Sequence, residues 1–139
     1  MLMASGVTAA VMAAVLAALA PAQRAFTAHA EAADARQRLR VSVDALTRDL
    51  LVASAVDVRG DAVVIRQGPI ERIYYLDARA GQLRQDDGPF ADTPVADGIA
   101  ALTVESLGRR VRVRIAAAVR SGPDLEVVFD VAPRNMPPE

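Results

Sequence analysis

The first twenty-three residues, MLMASGVTAAVMAAVLAALAPAQ, carry no charged side chain, and the first charge in the chain is Arg24. A helix that is apolar all round cannot lie on the surface of a small soluble domain. It has to be covered by lipid, by other helices or by a large core. As a helix, residues 1–20 would be roughly 30 Å long, about the thickness of the hydrocarbon layer of a bilayer. The strongly apolar positions are Leu2, Val7, Val11, Val15, Leu16 and Leu19, and eight alanines fill most of the remainder. Those six residues together favour insertion by roughly 2 to 4 kcal/mol, which makes the stretch a marginal span as written. A cleaved signal peptide would need a basic segment ahead of the apolar run, and none is present, although ALAPAQ could serve as a cleavage site. A buried core helix would need a larger domain around it than the hundred or so residues that follow. The expectation is a half-helix for a membrane or a filament core, over residues 1–23.

The helical pattern continues past Pro21, where a kink is expected. Ala25, Ala28, Ala32, Ala35, Leu39, Val43, Leu46, Leu50 and Ala53 recur at spacings of three and four, which makes one apolar stripe. Arg36, Arg40, Asp44 and Arg48 occupy the opposite face, with Asp44 four residues ahead of Arg48 in the favourable order for an ion pair. Residues 24–54 thus read as an amphipathic continuation of the same helix, with Leu39, Val43, Leu46 and Leu50 as its packing face.

Beyond Ser54 the period changes to two. Strands are expected over 61–67, 71–77, 81–87, 101–107, 109–119 and 125–132, with a loop over 88–94, a turn at Ser121–Asp124 and an irregular tail over 133–139. Val111, Val113 and Ile115 alternate with Arg110, Arg112 and Arg114, while Leu125, Val127, Phe129 and Val131 share one face. A sheet with one apolar face and one wet face is antiparallel and needs a cover, and the striped helix is the available one. The expected fold class is α+β: a long N-terminal helix, its first half projecting, packed through its second half on a small antiparallel sheet formed by residues 55–132.

The candidates for chemistry are few. There is no cysteine, which removes disulfides, thiolate metal sites and thiol nucleophiles. The single histidine, His29, falls on the projecting helix with no second histidine to complete a site. No phosphate-binding glycine loop is present. Asp86, Asp87, Asp92 and Asp97 gather around one loop, and the first three are candidates for calcium, with Arg84 as a competing partner. All sixteen basic residues are arginine, yet the net charge of −1 gives no general field for nucleic acid. The row Arg110, Arg112 and Arg114 is the one candidate nucleic-acid face, and such a row is ordinarily the wet side of a strand.

Several phrases taken in order resemble the type IV pilin-like proteins, in particular the minor pseudopilins of type II secretion and the related minor pilins. APAQRAFTAHAEAADARQRLRVSVDALTRDLLVAS is similar to their long helix entering the globular head. IYYLDARAGQLRQDDG resembles a hairpin of theirs, VADGIAALTVESLG with RRVRVRIAAAVR resembles their late strands, and VFDVAPRN resembles their closing strand. The family's hallmark is a basic leader ending in Gly, then an aromatic residue and Thr-Leu-x-Glu, cut by a prepilin peptidase that methylates the new amine. GVTAAV at residues 6–11 has Val11 where that Glu would stand and no basic residue before Gly6. The expectation is that about ten further residues of the family's pattern precede Met1, completing the apolar helix.

The resemblance implies a structural subunit rather than an enzyme, with no cofactor. Its helix would sit in the inner membrane before assembly, with the head on the periplasmic side, and then pack among like helices in a filament. Gly6, Ala9, Ala10, Ala13, Ala14 and Ala17 would allow close approach there. The expected partners are other pseudopilins or pilins and, through the head, secreted proteins. The alternatives are a membrane-tethered periplasmic binding domain unrelated to filaments and a DNA-binding minor pilin.

Overall fold

A computed structural model describes residues 2–88 and 92–135, with side chains described from Met12 onward. One α-helix, α1 (Leu2–Leu51), is followed by eight strands: β1 (Ala55–Arg59), β2 (Ala62–Gln67), β3 (Ile70–Asp77), β4 (Gln82–Asp86), β5 (Thr93–Asp97), β6 (Ile99–Leu107), β7 (Arg110–Ala117) and β8 (Leu125–Val131). The class is α+β. The strands form two antiparallel meanders rather than the single sheet expected, one of five strands in the order β1-β2-β3-β4-β5 and one of three in the order β6-β7-β8. The division falls at Gly98, whose φ of +65° turns the chain between β5 and β6.

The helix is one element through Pro21. Proline there leaves the carbonyl of Ala17 without its usual partner, and the helix tolerates the loss where it lies in the open. Its second half carries the stripe. Ala35, Leu39, Leu46, Leu50 and Ala53 are buried, and Val43 is half-buried. They pack with Val63, Ile65, Tyr74 and Leu83 of the larger sheet and with Leu102, Val104, Val111, Val113, Ile115 and Val131 of the smaller one. The stripe arises because alternate turns of three and four residues keep returning to one side of a 3.6-residue helix.

Two strands lie where the sequence pattern gives no strand. β1 pairs with β2 from Ala55↔Arg66 to Arg59↔Ala62. β5 takes in Thr93 and Pro94 from the expected 88–94 loop and pairs with β4, with a register shift between Leu83 and Arg84. Pro94 fits because β5 is an edge strand, where a missing N–H is tolerated. The start of the tail is bonded to the end of α1. Arg134 N–H donates to the carbonyl of Leu51, and Asn135 Nδ2 donates to that of Val52. These bonds satisfy acceptors that the end of a helix leaves open. Residues 136–139 lie outside the described residues. On the wet face of α1, the ion pair is Arg40–Asp44 at 3.9 Å, not Asp44–Arg48.

Candidate assembly surface

The functional candidates divide into an arm, a polar clamp and two charged surfaces. The arm is the first half of α1. Every residue from Met12 to Thr27 is exposed, including Met12 at 65%, Leu16 at 67% and Phe26 at 76%. Val15 and Leu19 are half exposed, and Pro21 and His29 are open to solvent as well. The side chains of Leu2, Val7 and Val11, and of Gly6, Ala9 and Ala10, lie outside the described residues. Among the described residues no helix is long and apolar enough to cross a membrane. The arm is an apolar surface that no other described residue covers, and surfaces of this kind mark sites of association.

Acidic side chains of α1 bond to the head at two levels, one near the arm and one far from it. At the near one, the Glu31 carboxylate accepts from Ser121 N–H at 3.1 Å and from Ser121 Oγ at 2.7 Å. Arg38, paired with Asp34, lies directly over Gly98. Glu31, Asp34, Arg38, Gly98, Ala118 and Arg120 line an open cavity of about 360 Å³.

The far contact is a closed ring of five side chains. Asp49 is only 5% exposed, although it lies on the packing face of the helix. Arg72 Nη1 donates to its Oδ1 at 2.8 Å, and the Tyr74 hydroxyl donates to its Oδ2 at 2.7 Å. Tyr74 Oη also stands 2.9 Å from Gln85 Oε1. A phenol has one proton, so it serves only one of these two acceptors at a time. Gln85 Nε2 donates to Asp87 at 2.7 Å, and Arg72 Nε lies 3.2 Å from the same carboxylate, which closes the ring. That Nε is buried and not aligned for a hydrogen bond. Burial, and then the bond to Asp49, push the Tyr74 phenol far above its ordinary range, while Arg72 opposes the shift. Burial works against the charge of Arg72, and Asp49 with Asp87 outweighs it. A buried carboxylate is tolerated only with partners of this quality.

This ring is the feature that reading the sequence missed. The signal was present: Asp49 sits three residues after Leu46 and directly before Leu50, on the apolar stripe, so it had to find a polar partner inside.

The calcium candidates do not converge. Asp92 is held by the Tyr75 hydroxyl at 2.7 Å and by Arg84 Nε at 3.0 Å, so Arg84 is its partner. Those two bonds, Tyr75 first, hold its carboxyl below the ordinary range. Asp87 belongs to the ring, and Asp86 accepts from Gly88 N–H at 2.8 Å. No group of three metal-ligating side chains occurs among the described residues.

Two of the three arginines in the row are paired with acids of the neighbouring strand. Arg112 makes a two-pronged pair with Asp130, at 2.8 and 3.0 Å, and Arg114 pairs with Glu126 at 3.2 Å. Arg112 also stands opposite Glu105 in the register of β6 and β7, which leaves Arg110 at the end of the row. Cross-strand pairing with acids explains these arginines without nucleic acid. No family model, curated protein or solved structure matches the chain.

Proposed function

We propose that the chain is a structural subunit of a pilin-like filament, of the minor pseudopilin or minor pilin kind, and that it has no catalytic role. The observation that carries this reading is the arm: residues 12–27 form a continuous helix with exposed Met12, Val15, Leu16, Leu19 and Phe26, attached to a head that has its own core. Apolar side chains held in water call for cover, at about 25 cal/mol for each Å² removed from solvent. A second helix of the same kind supplies that cover, and the small residues Ala13, Ala14 and Ala17 let two backbones come close. The order of phrases along the chain supports the same reading.

In this proposal the subunit waits at the inner membrane, with its head on the periplasmic side, and then enters the filament. The head then meets neighbouring subunits and exported proteins in a secretion or pilus machine.

The absence of cysteine gives a clean test. Leu16→Cys and Leu19→Cys, made singly in the full chain in its native cells, are treated with a short bifunctional maleimide. The expected result is cross-linked species joining arm to arm or arm to another small subunit. Arg79→Cys, in an exposed turn of the head, serves as the comparison. Cross-linking at Arg79→Cys but at neither arm position would overturn the reading.

A further inference from the structure

We propose that the outer edge of β8 receives an extended segment of a partner protein, which adds a fourth strand to the smaller sheet and carries a carboxylate for Arg36. Three observations meet at this place. First, among the described residues β8 pairs only with β7, so it is an edge. Apart from that pairing, no backbone or side-chain hydrogen bond among the described residues reaches the peptide groups of Leu125–Val131. The peptide groups that point away from β7 are therefore a template for a further strand.

Second, the space beside that edge is apolar. A groove of about 220 Å³ lies between α1 and β8, with Leu39 and Val43 on the helix side and Val127 on the strand side. An extended segment has every second side chain on one face, about 6.8 Å apart. A segment laid along β8 points that face at Leu39, Val43 and Val127. Of Leu39, Val43, Leu46 and Leu50, Val43 alone is half-buried among the described residues.

Third, the rim has a charge to satisfy. Arg36, Arg40 and Asp44 border the groove. Arg40 and Asp44 are paired with each other at 3.9 Å, while Arg36 makes no ion pair among the described residues. The rim as a whole is net positive, so the segment that fits carries an acidic residue at the Arg36 end. The wet face of β8 adds no repulsion to such a segment, because Glu126 and Asp130 are held by Arg114 and Arg112. The occupant is thus an extended chain, apolar at alternate positions and acidic at one end.

The test uses the full chain and three synthetic peptides of seven residues. The first alternates valine with threonine and begins with glutamate. The second has lysine in place of that glutamate, and the third is the first with its valine amides N-methylated. Binding is read by fluorescence anisotropy, and its location by hydrogen exchange at the β8 amides. The glutamate peptide is expected to bind and to slow exchange across Leu125–Val131. The lysine peptide is expected to bind about fivefold more weakly, as the loss of an exposed ion pair allows, and the N-methylated peptide not at all. Arg36→Glu, on the solvent side of the helix, should reverse the order of the glutamate and lysine peptides without altering the fold. Protection at a strand other than β8, equal binding of all three peptides, or no binding at millimolar peptide would each overturn the proposal. None of these outcomes bears on the arm, so this inference and the filament reading fail separately.

Discussion

Replacing Asp49 by alanine removes the carboxylate that ties α1 to β3 from inside the core. The cost can be worked from the geometry. Two charge-assisted hydrogen bonds are lost, from Arg72 at 2.8 Å and from Tyr74 at 2.7 Å. Breaking a fully buried pair costs about 3–5 kcal/mol, mostly through the charge left behind. Here Arg72 is 29% exposed and keeps Asp87, and the Tyr74 proton can turn to Gln85, so neither partner is stranded. The expected loss is therefore lower, about 2–3 kcal/mol, of which each bond to a charged group supplies about 1.5. In urea, with a slope of about 1–2 kcal/mol per molar, the midpoint should fall by about 1–3 M. A detergent that covers the arm allows the full chain to be used. Tyr74→Phe removes the shared hydroxyl, and the double variant with Asp49→Ala should lose less than the sum of the singles by about 1 kcal/mol. A loss below about 0.5 kcal/mol for Asp49→Ala would refute the reasoning, because effects that small belong to ordinary surface positions.

The same ring gives a pH dependence with a definite sign. The folded chain holds the Tyr74 proton more tightly than the unfolded chain does, chiefly because the phenol is buried. The matching stability is complete below the ordinary phenol value of about 10 and is lost as pH rises above it. Tyrosinate absorbance followed from neutral to alkaline pH should thus rise late, and together with unfolding. Tyr74→Phe should remove most of that coupling, leaving the part due to Tyr75, whose phenol the bond to Asp92 also raises.

Three further outcomes are expected. Gly98→Ala should destabilise the chain by about 1–2 kcal/mol, because a Cβ at positive φ is strained and would press on Arg38; the thermal midpoint measures this. Asp92 is held low by Tyr75 and Arg84, and Asp130 by Arg112. Their contribution is present above the ordinary carboxylate value of about 4 and is lost as pH falls through the depressed folded values, so thermal midpoints should fall less steeply with acid in Asp92→Asn combined with Asp130→Asn. Asn135→Ala should cost about 0.5–1.5 kcal/mol and speed amide exchange in the last turn of α1, since it opens the carbonyl of Val52.

The helix was legible because its information is local and redundant. Nine positions at spacings of three and four define the stripe, and no single substitution erases it. The sheet was legible only as strands. Alternation says that Val111, Val113 and Ile115 share a face, but it does not say which strand lies beside which or that two sheets form. That division falls at one glycine turn, Gly98, and a single turn has no period to read. β5 was hidden because Pro94 reads as a loop, and its tolerance there depends on the strand being at an edge. The partners of Arg112 and Arg114 were hidden for a similar reason: a row of like charges reads as a surface until the register of β8 places Asp130 and Glu126 beside it.

The placement of polar groups along α1 follows from what a projecting helix demands. An apolar stripe alone fixes which side of a helix faces the core, but it resists sliding and rolling weakly, because alanine and leucine side chains offer similar contacts one step along. A long arm magnifies any such error: Met12 lies about 55 Å along the axis from Asp49, so a roll or tilt at the head moves the arm through a large arc. The chain opposes this with directional bonds at two levels. Asp49 meets Arg72 and Tyr74 near the end of the helix, and Glu31 meets Ser121 where the helix leaves the head. The two levels are about 27 Å apart along the axis, far enough to fix direction as well as position. Between them the helix is anchored by packing, and beyond Glu31 the described arm makes no bond to the head. The buried carboxylate, costly as it is to desolvate, thus has a geometric role: it sets the face that Met12, Leu16 and Leu19 present to whatever covers them.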